Sequence, residues 1–151
     1  WFMYEILHQE WGRAERTGSP LCVVLVEFDG LDAFVDNNGD PAGDSLLRQA
    51  AEIITSELKR PGDLLARLGG KRFVVVLPDT DLEGGALIAE RLRASIENAN
   101  AFIDAGGITL SAGVAVRTPL SQENERELLE VARGCLAAAK KASGNQVLIH
   151  D

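Results

Sequence analysis

Arg60-Pro61-Gly62-Asp63 sets a guanidinium and a carboxylate at the two ends of a turn. Proline suits the second position of such a turn and glycine the third, and the turn brings its first and fourth residues together. The two side chains can then address one planar partner. Arginine donates bidentately to the O6 and N7 acceptors of guanine, and aspartate can accept from that base's ring and exocyclic N–H groups. A salt bridge across a surface turn is the commoner use of this pair. Further on, Leu68-Gly69-Gly70-Lys71-Arg72-Phe73 places two glycines between hydrophobic runs. That is a tight β-hairpin pattern, because glycine takes positive φ at no steric cost. Lys71 and Arg72 fall at its exposed tip. There they are either solvated cations or, in the case of Lys71, a holder for a phosphate.

The elements that carry these residues follow from periodicity. Met3, Leu7, Trp11 and Ala14 mark one stripe of a helix over roughly 1–17, already under way at Trp1 and stopped by Thr17-Gly18-Ser19-Pro20. The valine-rich run 21–28 predicts a buried strand. Asp40 followed by Pro41 predicts an N-cap and first turn. The helix after it lines up Leu47, Ala50, Ala51, Ile54 and Leu58. Thr80-Asp81-Leu82-Glu83 has the form of a capping box opening a helix with Ile88, Leu92 and Ile96 on its apolar face. A polar loop leads to a strand over 108–116. A last helix carries Leu128, Ala132, Cys135, Leu136 and Ala139 and ends at Gly144, before a short strand at Val147-Leu148-Ile149. The order α, β, α, β, β, α, β, α, β predicts a layered α+β domain with a mixed sheet.

Composition narrows the function classes. A chain of 151 residues with 46% apolar content suits one domain with its own core. No run of eighteen apolar residues occurs, so no segment reads as a membrane span. A net charge of −8 argues against a nucleic-acid polymer as partner, which needs a positive footprint. It leaves a small nucleotide open, since a few arginines suffice. Cys22 and Cys135 fall in apolar settings and read as buried free thiols, and with only His8 and His150 there is no zinc spacing.

Five motifs in order resemble the GGDEF domain, the family that makes cyclic di-GMP from two GTP. They are Val23-Val24-Leu25-Val26-Glu27-Phe28-Asp29, Asp36 to Asp44, the hairpin Arg67-Leu68-Gly69-Gly70-Lys71-Arg72-Phe73, Ile108 to Ala115, and Ala138 to Asn145. The resemblance implies a ferredoxin-like mixed sheet flanked by helices, as in the palm of nucleotide cyclases. It covers 1–151, with 1–17 as a connecting helix from an upstream region.

Residue by residue, the resemblance implies a broken active site. Metal-bridged phosphoryl chemistry needs hard cations held by carboxylates. The family's two metal-holding positions are Glu27, one methylene longer than the usual aspartate, and Lys71. Arg72 takes the other acidic place. The guanine-binding asparagine is matched by Val35, which can donate nothing to a base. A second guanine contact is matched by Asp44, in a helix's first turn, and the phosphate-binding lysine by Lys140. The arginine after it is matched by Gly144. Arg67 completes this vestigial set. Arg60 and Asp63 match the family's inhibitory-site motif, and Arg91, off the apolar stripe of its helix, matches the second arginine of that site. The expectation is a catalytically inactive, cytoplasmic bacterial signalling module. It binds cyclic di-GMP through Arg60, Asp63 and Arg91, without metal or cofactor, and partners a second copy or a neighbouring regulatory domain. Because Arg60 lies on a surface turn, its loss should leave thermal stability nearly unchanged. The alternatives are a ligand-free dimerisation or docking domain, and an active cyclase with an altered metal site.

Overall fold

The computed structural model describes residues 2–120 and 122–150. Trp1, the expected start of the first helix, lies outside them. At the centre is β1 (Leu21–Asp29), whose run of valine and leucine is buried on both faces. It pairs antiparallel with β3 (Arg72–Pro78) on one side and β4 (Thr109–Arg117) on the other. β2 (Leu64–Gly69) extends the sheet beyond β3, and β5 (Val147–Ile149) runs parallel to β4, giving the order β2-β3-β1-β4-β5. The expected α+β class with a mixed sheet is the architecture found.

Side chains alternate across a strand, so β1 serves two cores. Cys22, Val24, Val26 and Phe28 meet α3 (Asp40–Glu57) and α4 (Leu82–Glu97). Leu21, Val23 and Leu25 meet α1 (Phe2–Thr17) and α6 (Glu125–Lys141). The stripes read from sequence are the buried ones: Met3, Leu7, Trp11 and Ala14 on α1, and Leu128, Ala132, Leu136 and Ala139 on α6. Two glycines let helices sit close against the sheet. A Cβ on Gly85 of α4 would overlap Cys22 Sγ, and one on Gly113 of β4 would overlap the Ala132 carbonyl and the Leu136 amide of α6. Cys22 is buried as expected, and its burial, followed by the charges of Asp81 and Asp63, pushes its pKa up to about 12. Cys135 is only half-buried.

The structure corrects several boundaries. Two short helices are added, α2 (Leu31–Asn38) and α5 (Asn100–Asp104), the second inside the expected polar loop. Asp40 is the first residue of α3 rather than its cap, a place taken by Gly39 at φ 89°, and Asp44 lies one turn in. The cap of α4 is Asp81, which accepts from Gly84 N, rather than Thr80. α6 is closed by Ser143 at φ 84°, after which Gly144 N–H reaches back to the Ala139 carbonyl at 2.9 Å. None of the described helices is long and apolar enough to cross a membrane.

Candidate functional site

Glu27 and Asp29 stand two residues apart on β1 and therefore point to the same side, toward α6. Register places Arg72 of β3 directly opposite Glu27. Arg72 donates to Glu27 Oε2 from NH2 at 2.8 Å and from Nε at 3.2 Å. Lys140, in the last turn of α6, reaches across with Nζ 3.2 Å from Glu27 Oε1 and 3.3 Å from Asp29 Oδ1. Asp29 also accepts from Thr109 Oγ1 at 2.9 Å, Ser111 Oγ at 2.8 Å and the Asn145 amide at 2.9 Å. Lys71, in the two-residue loop Gly70-Lys71, pairs with Asp32 of α2.

The hairpin turn itself is exposed at Gly69 and Gly70. Only Lys71 belongs to the loop, and Arg72 is the first residue of β3, half-buried against Glu27. Arg67 braces the turn: its guanidinium donates to the Gly70 carbonyl from Nε at 2.9 Å and lies 5.9 Å from the centre of the Phe73 ring. The chain's own cations thus fill the surroundings of both β1 carboxylates. This donor set does not fit a divalent cation. The carboxylate oxygens already accept from Arg72 and Lys140, which leaves them short of the free acceptors a hard cation requires. Among the described residues no cluster of three or more His, Cys, Asp or Glu side chains is placed to hold a metal.

The expected base-binding positions are separated from this cluster in kind. Val35 is half-buried and packs against α3, so tightly that a Cβ on Gly43 would come within 2.5 Å of its Cγ2. Asp44 is exposed on α3. Gly144 sits at φ 71°, and a Cβ there would lie 2.7–3.0 Å from the atoms of the Asp29 carboxylate. A side chain at this position would push into the acid rather than join it.

The Arg60–Asp63 turn closes as read, with Asp63 N–H donating to the Arg60 carbonyl at 3.1 Å. Its side chains are placed differently from the expectation. Arg60 grips Asp63 through Nε at 3.3 Å and NH2 at 2.8 Å, and NH2 also donates to the Pro78 carbonyl at 2.6 Å and to Thr80 Oγ1. Arg60 stays 46% exposed while the Asp63 side chain is only 3% exposed. Asp63 therefore holds Arg60, and its carboxylate is not presented outward. Arg91, on α4, is 44% exposed and leans on the end of α3, donating to the Glu57 carbonyl at 3.2 Å. Arg91 is thus anchored on the end of α3, and Arg60, three residues beyond it, on Asp63, Pro78 and Thr80.

The model of the diguanylate cyclase GGDEF domain matches residues 1–146. The chain belongs to the GGDEF family. Over 141 residues this GGDEF domain is 31% identical to the probable diguanylate cyclase DgcT of Escherichia coli K12, covering 91% of this chain and 31% of the relative. It is 32% identical to the diguanylate cyclase DgcP of Pseudomonas aeruginosa, covering 95% and 21%. The chain thus spans about a third or less of these relatives' length. Among solved structures, the coiled coil and GGDEF domain of DgcB from Caulobacter crescentus, in complex with c-di-GMP, has a TM-score of 0.88 at 26% identity, covering 98% of this chain and 78% of that one. The active GGEEF domain of a Vibrio cholerae diguanylate cyclase has a TM-score of 0.88 at 24% identity, covering 96% and 92%, and supports the fold.

Sequence reasoning missed part of what surrounds these positions in the GGDEF domain. Asn145, at φ 50°, joins Asp29 through its amide and Arg93 and Glu97 through its side chain. Ser111 is fully buried yet polar, a signal visible in the strand run once Asp29 is known to need donors. Glu57 carried no motif at all. The cluster also makes a pH prediction. Burial alone would raise the Glu27 carboxyl, but hydrogen bonds from Arg72 and Lys140 outweigh it and hold the pKa below its ordinary 4.5. A depressed folded-state pKa gives stability that is present above the unfolded value and lost as pH falls through the folded one. Arg72→Met should therefore cost about 1–2 kcal/mol at neutral pH and flatten the loss of stability between roughly pH 5 and 3. Urea melts across that range test it; parallel stability curves for parent and variant would contradict it.

Proposed function

We propose that this GGDEF domain is catalytically silent and serves as a receptor for cyclic di-GMP, in the cytoplasm, through Arg60 and Arg91, with Asp63 positioning Arg60. The observation that carries the first half is the Glu27–Arg72–Lys140–Asp29 cluster, which neutralises with side chains the acids that a metal-dependent cyclase would need. Support for the second half comes from two half-exposed arginines at the end of α3 and from the c-di-GMP complex of the DgcB relative. A turn and one helical arginine enclose only part of a ligand with two bases and two phosphates. A second copy or an adjoining domain completes the cage.

Calorimetry with cyclic di-GMP tests the receptor half. Each arginine contributes charge-assisted contacts worth about 1.5–3 kcal/mol, so Arg91→Ala should weaken binding at least about tenfold with little change in the melt. Arg60→Ala should weaken it as much and also cost about 1–3 kcal/mol of stability. It leaves the Asp63 carboxylate, which Arg60 otherwise grips, without that partner in a buried place, so the expectation of an unchanged melt does not hold for this residue. Binding by both variants equal to the parent's would sink the proposal.

A further inference from the structure

β5 closes one side of the sheet, with β4 as its neighbour. The Gln146 carbonyl accepts from the Ala112 amide at 3.0 Å, and the His150 amide donates to the Val114 carbonyl at 3.1 Å. Bonded residues alternate with outward-facing ones along such a strand, so the amides and carbonyls of Val147 and Ile149 point away from β4. Beside this edge lies a groove of about 480 Å³, lined by Leu82, Glu83, Ala86, Leu87 and Glu90 of α4 and by Ile149. Leu87 is 64% exposed, Ile149 is 44% exposed, and Leu87 belongs to neither core. Glu83 and Glu90 flank Leu87 by one helical turn on either side. Glu90 is shared with Arg93 at 2.6 Å, whereas Glu83 stands exposed in the first turn of α4. We propose that this groove docks an extended segment of a partner protein. The segment adds to β5 as a further strand, sets an apolar side chain between Leu87 and Ile149, and brings a lysine or arginine to Glu83. Main-chain hydrogen bonds give such a strand its affinity, and the side-chain groove gives it selectivity. A second copy fits poorly. Pairing two β5 edges about a two-fold axis sets two α4 helices side by side, so Glu83 and Glu90 of one copy meet those of the other, on chains that each carry a net charge of −8. Arg91 leans the other way, toward α3, so the groove does not depend on the receptor reading.

The test is an NMR titration of the isotope-labelled domain with two peptides, acetyl-Thr-Lys-Thr-Leu-Thr-Lys-Thr-amide and its counterpart with glutamate in place of lysine. The basic peptide should shift the Val147 and Ile149 amides and the Leu87 methyl groups. Exchange of those two amides with water should slow about tenfold when the peptide stands at about nine times its Kd, because only the free edge exchanges. The acidic peptide should bind about two- to fivefold more weakly, the scale of a surface ion pair. Leu87→Gln changes an exposed position outside both cores and should weaken the basic peptide about tenfold. Glu83→Gln should narrow the gap between the two peptides. No shift at Val147 and Ile149 overturns the proposal, and so does equal binding of the two peptides by the parent. Shifts at the groove without slowed exchange overturn strand addition. A dimer of the peptide-free domain that Leu87→Gln dissolves would seat a second copy in the groove and overturn the choice of partner.

Discussion

Incubated with GTP and magnesium or manganese, the domain should yield no cyclic di-GMP, and Lys71→Glu should not restore synthesis. The reason is electrostatic before it is geometric. An ammonium about 4 Å from a divalent ion costs on the order of 8 kcal/mol at an effective dielectric of ~20, an upper bound because Lys71 can instead turn to Asp32. Replacing Lys71 removes this repulsion and leaves the rest in place. Arg72 and Lys140 still occupy the oxygens of Glu27, and Lys140 reaches Oδ1 of Asp29. Val35 still offers only hydrocarbon at the position expected to meet a base, and Gly144 has no room for a side chain beside Asp29. Chromatography of the reaction mixture decides the matter. Product above a buffer control that disappears in Glu27→Ala would refute it.

The largest stability effect is expected at Gly113. Gly113→Ala introduces a Cβ that overlaps the Ala132 carbonyl and the Leu136 amide, both backbone atoms of α6, with the Cys135 carbonyl carbon at 3.0 Å. Backbone cannot rotate away as a side chain can, so the helix must lift off the sheet. That disturbs the core built on Leu128, Leu129, Ala132 and Leu136. The cost should reach about 4 kcal/mol, a drop in Tm of roughly 10 °C or more. Gly134→Ala, on the same helix with nothing within 4 Å of the new Cβ, should instead stabilise by about 0.5–1 kcal/mol. Calorimetric melts of the two variants check both. Equal Tm values would show that α6 does not rest on the β4 backbone.

Long periodic elements were legible in the sequence. The α1 stripe, the valine run of β1 and the α6 face each repeat often enough to outweigh local noise. The two short helices were not. α2 begins after Gly30 at φ 85° and α5 after Ala99, and neither has a side-chain cap to announce it. At the site, residue types were legible and pairings were not. That Lys71 and Arg72 invert the expected charge needs only the alphabet. That Arg72 faces Glu27 needs strand register, and that Lys140 reaches Asp29 needs a fold that joins residues 111 positions apart. The inward turn of Asp63 was equally hidden, because a turn motif fixes backbone and leaves open which carbonyls the arginine will seek.

The charge cluster at the end of β1 also shapes the routes open to mutation. Its members balance one another, so removing any single cation leaves a half-buried carboxylate short of a partner, and removing a carboxylate strands a cation. Each one-step neighbour is therefore less stable than the present sequence. To become a cation-holding site, the chain would need coordinated exchanges at Lys71 and Arg72 and a rebuilt surrounding at Lys140. The intermediates form a valley between two self-consistent solutions. Changes elsewhere on the surface meet no such barrier, and half-exposed Arg91 on α4 can be exchanged without disturbing this cluster.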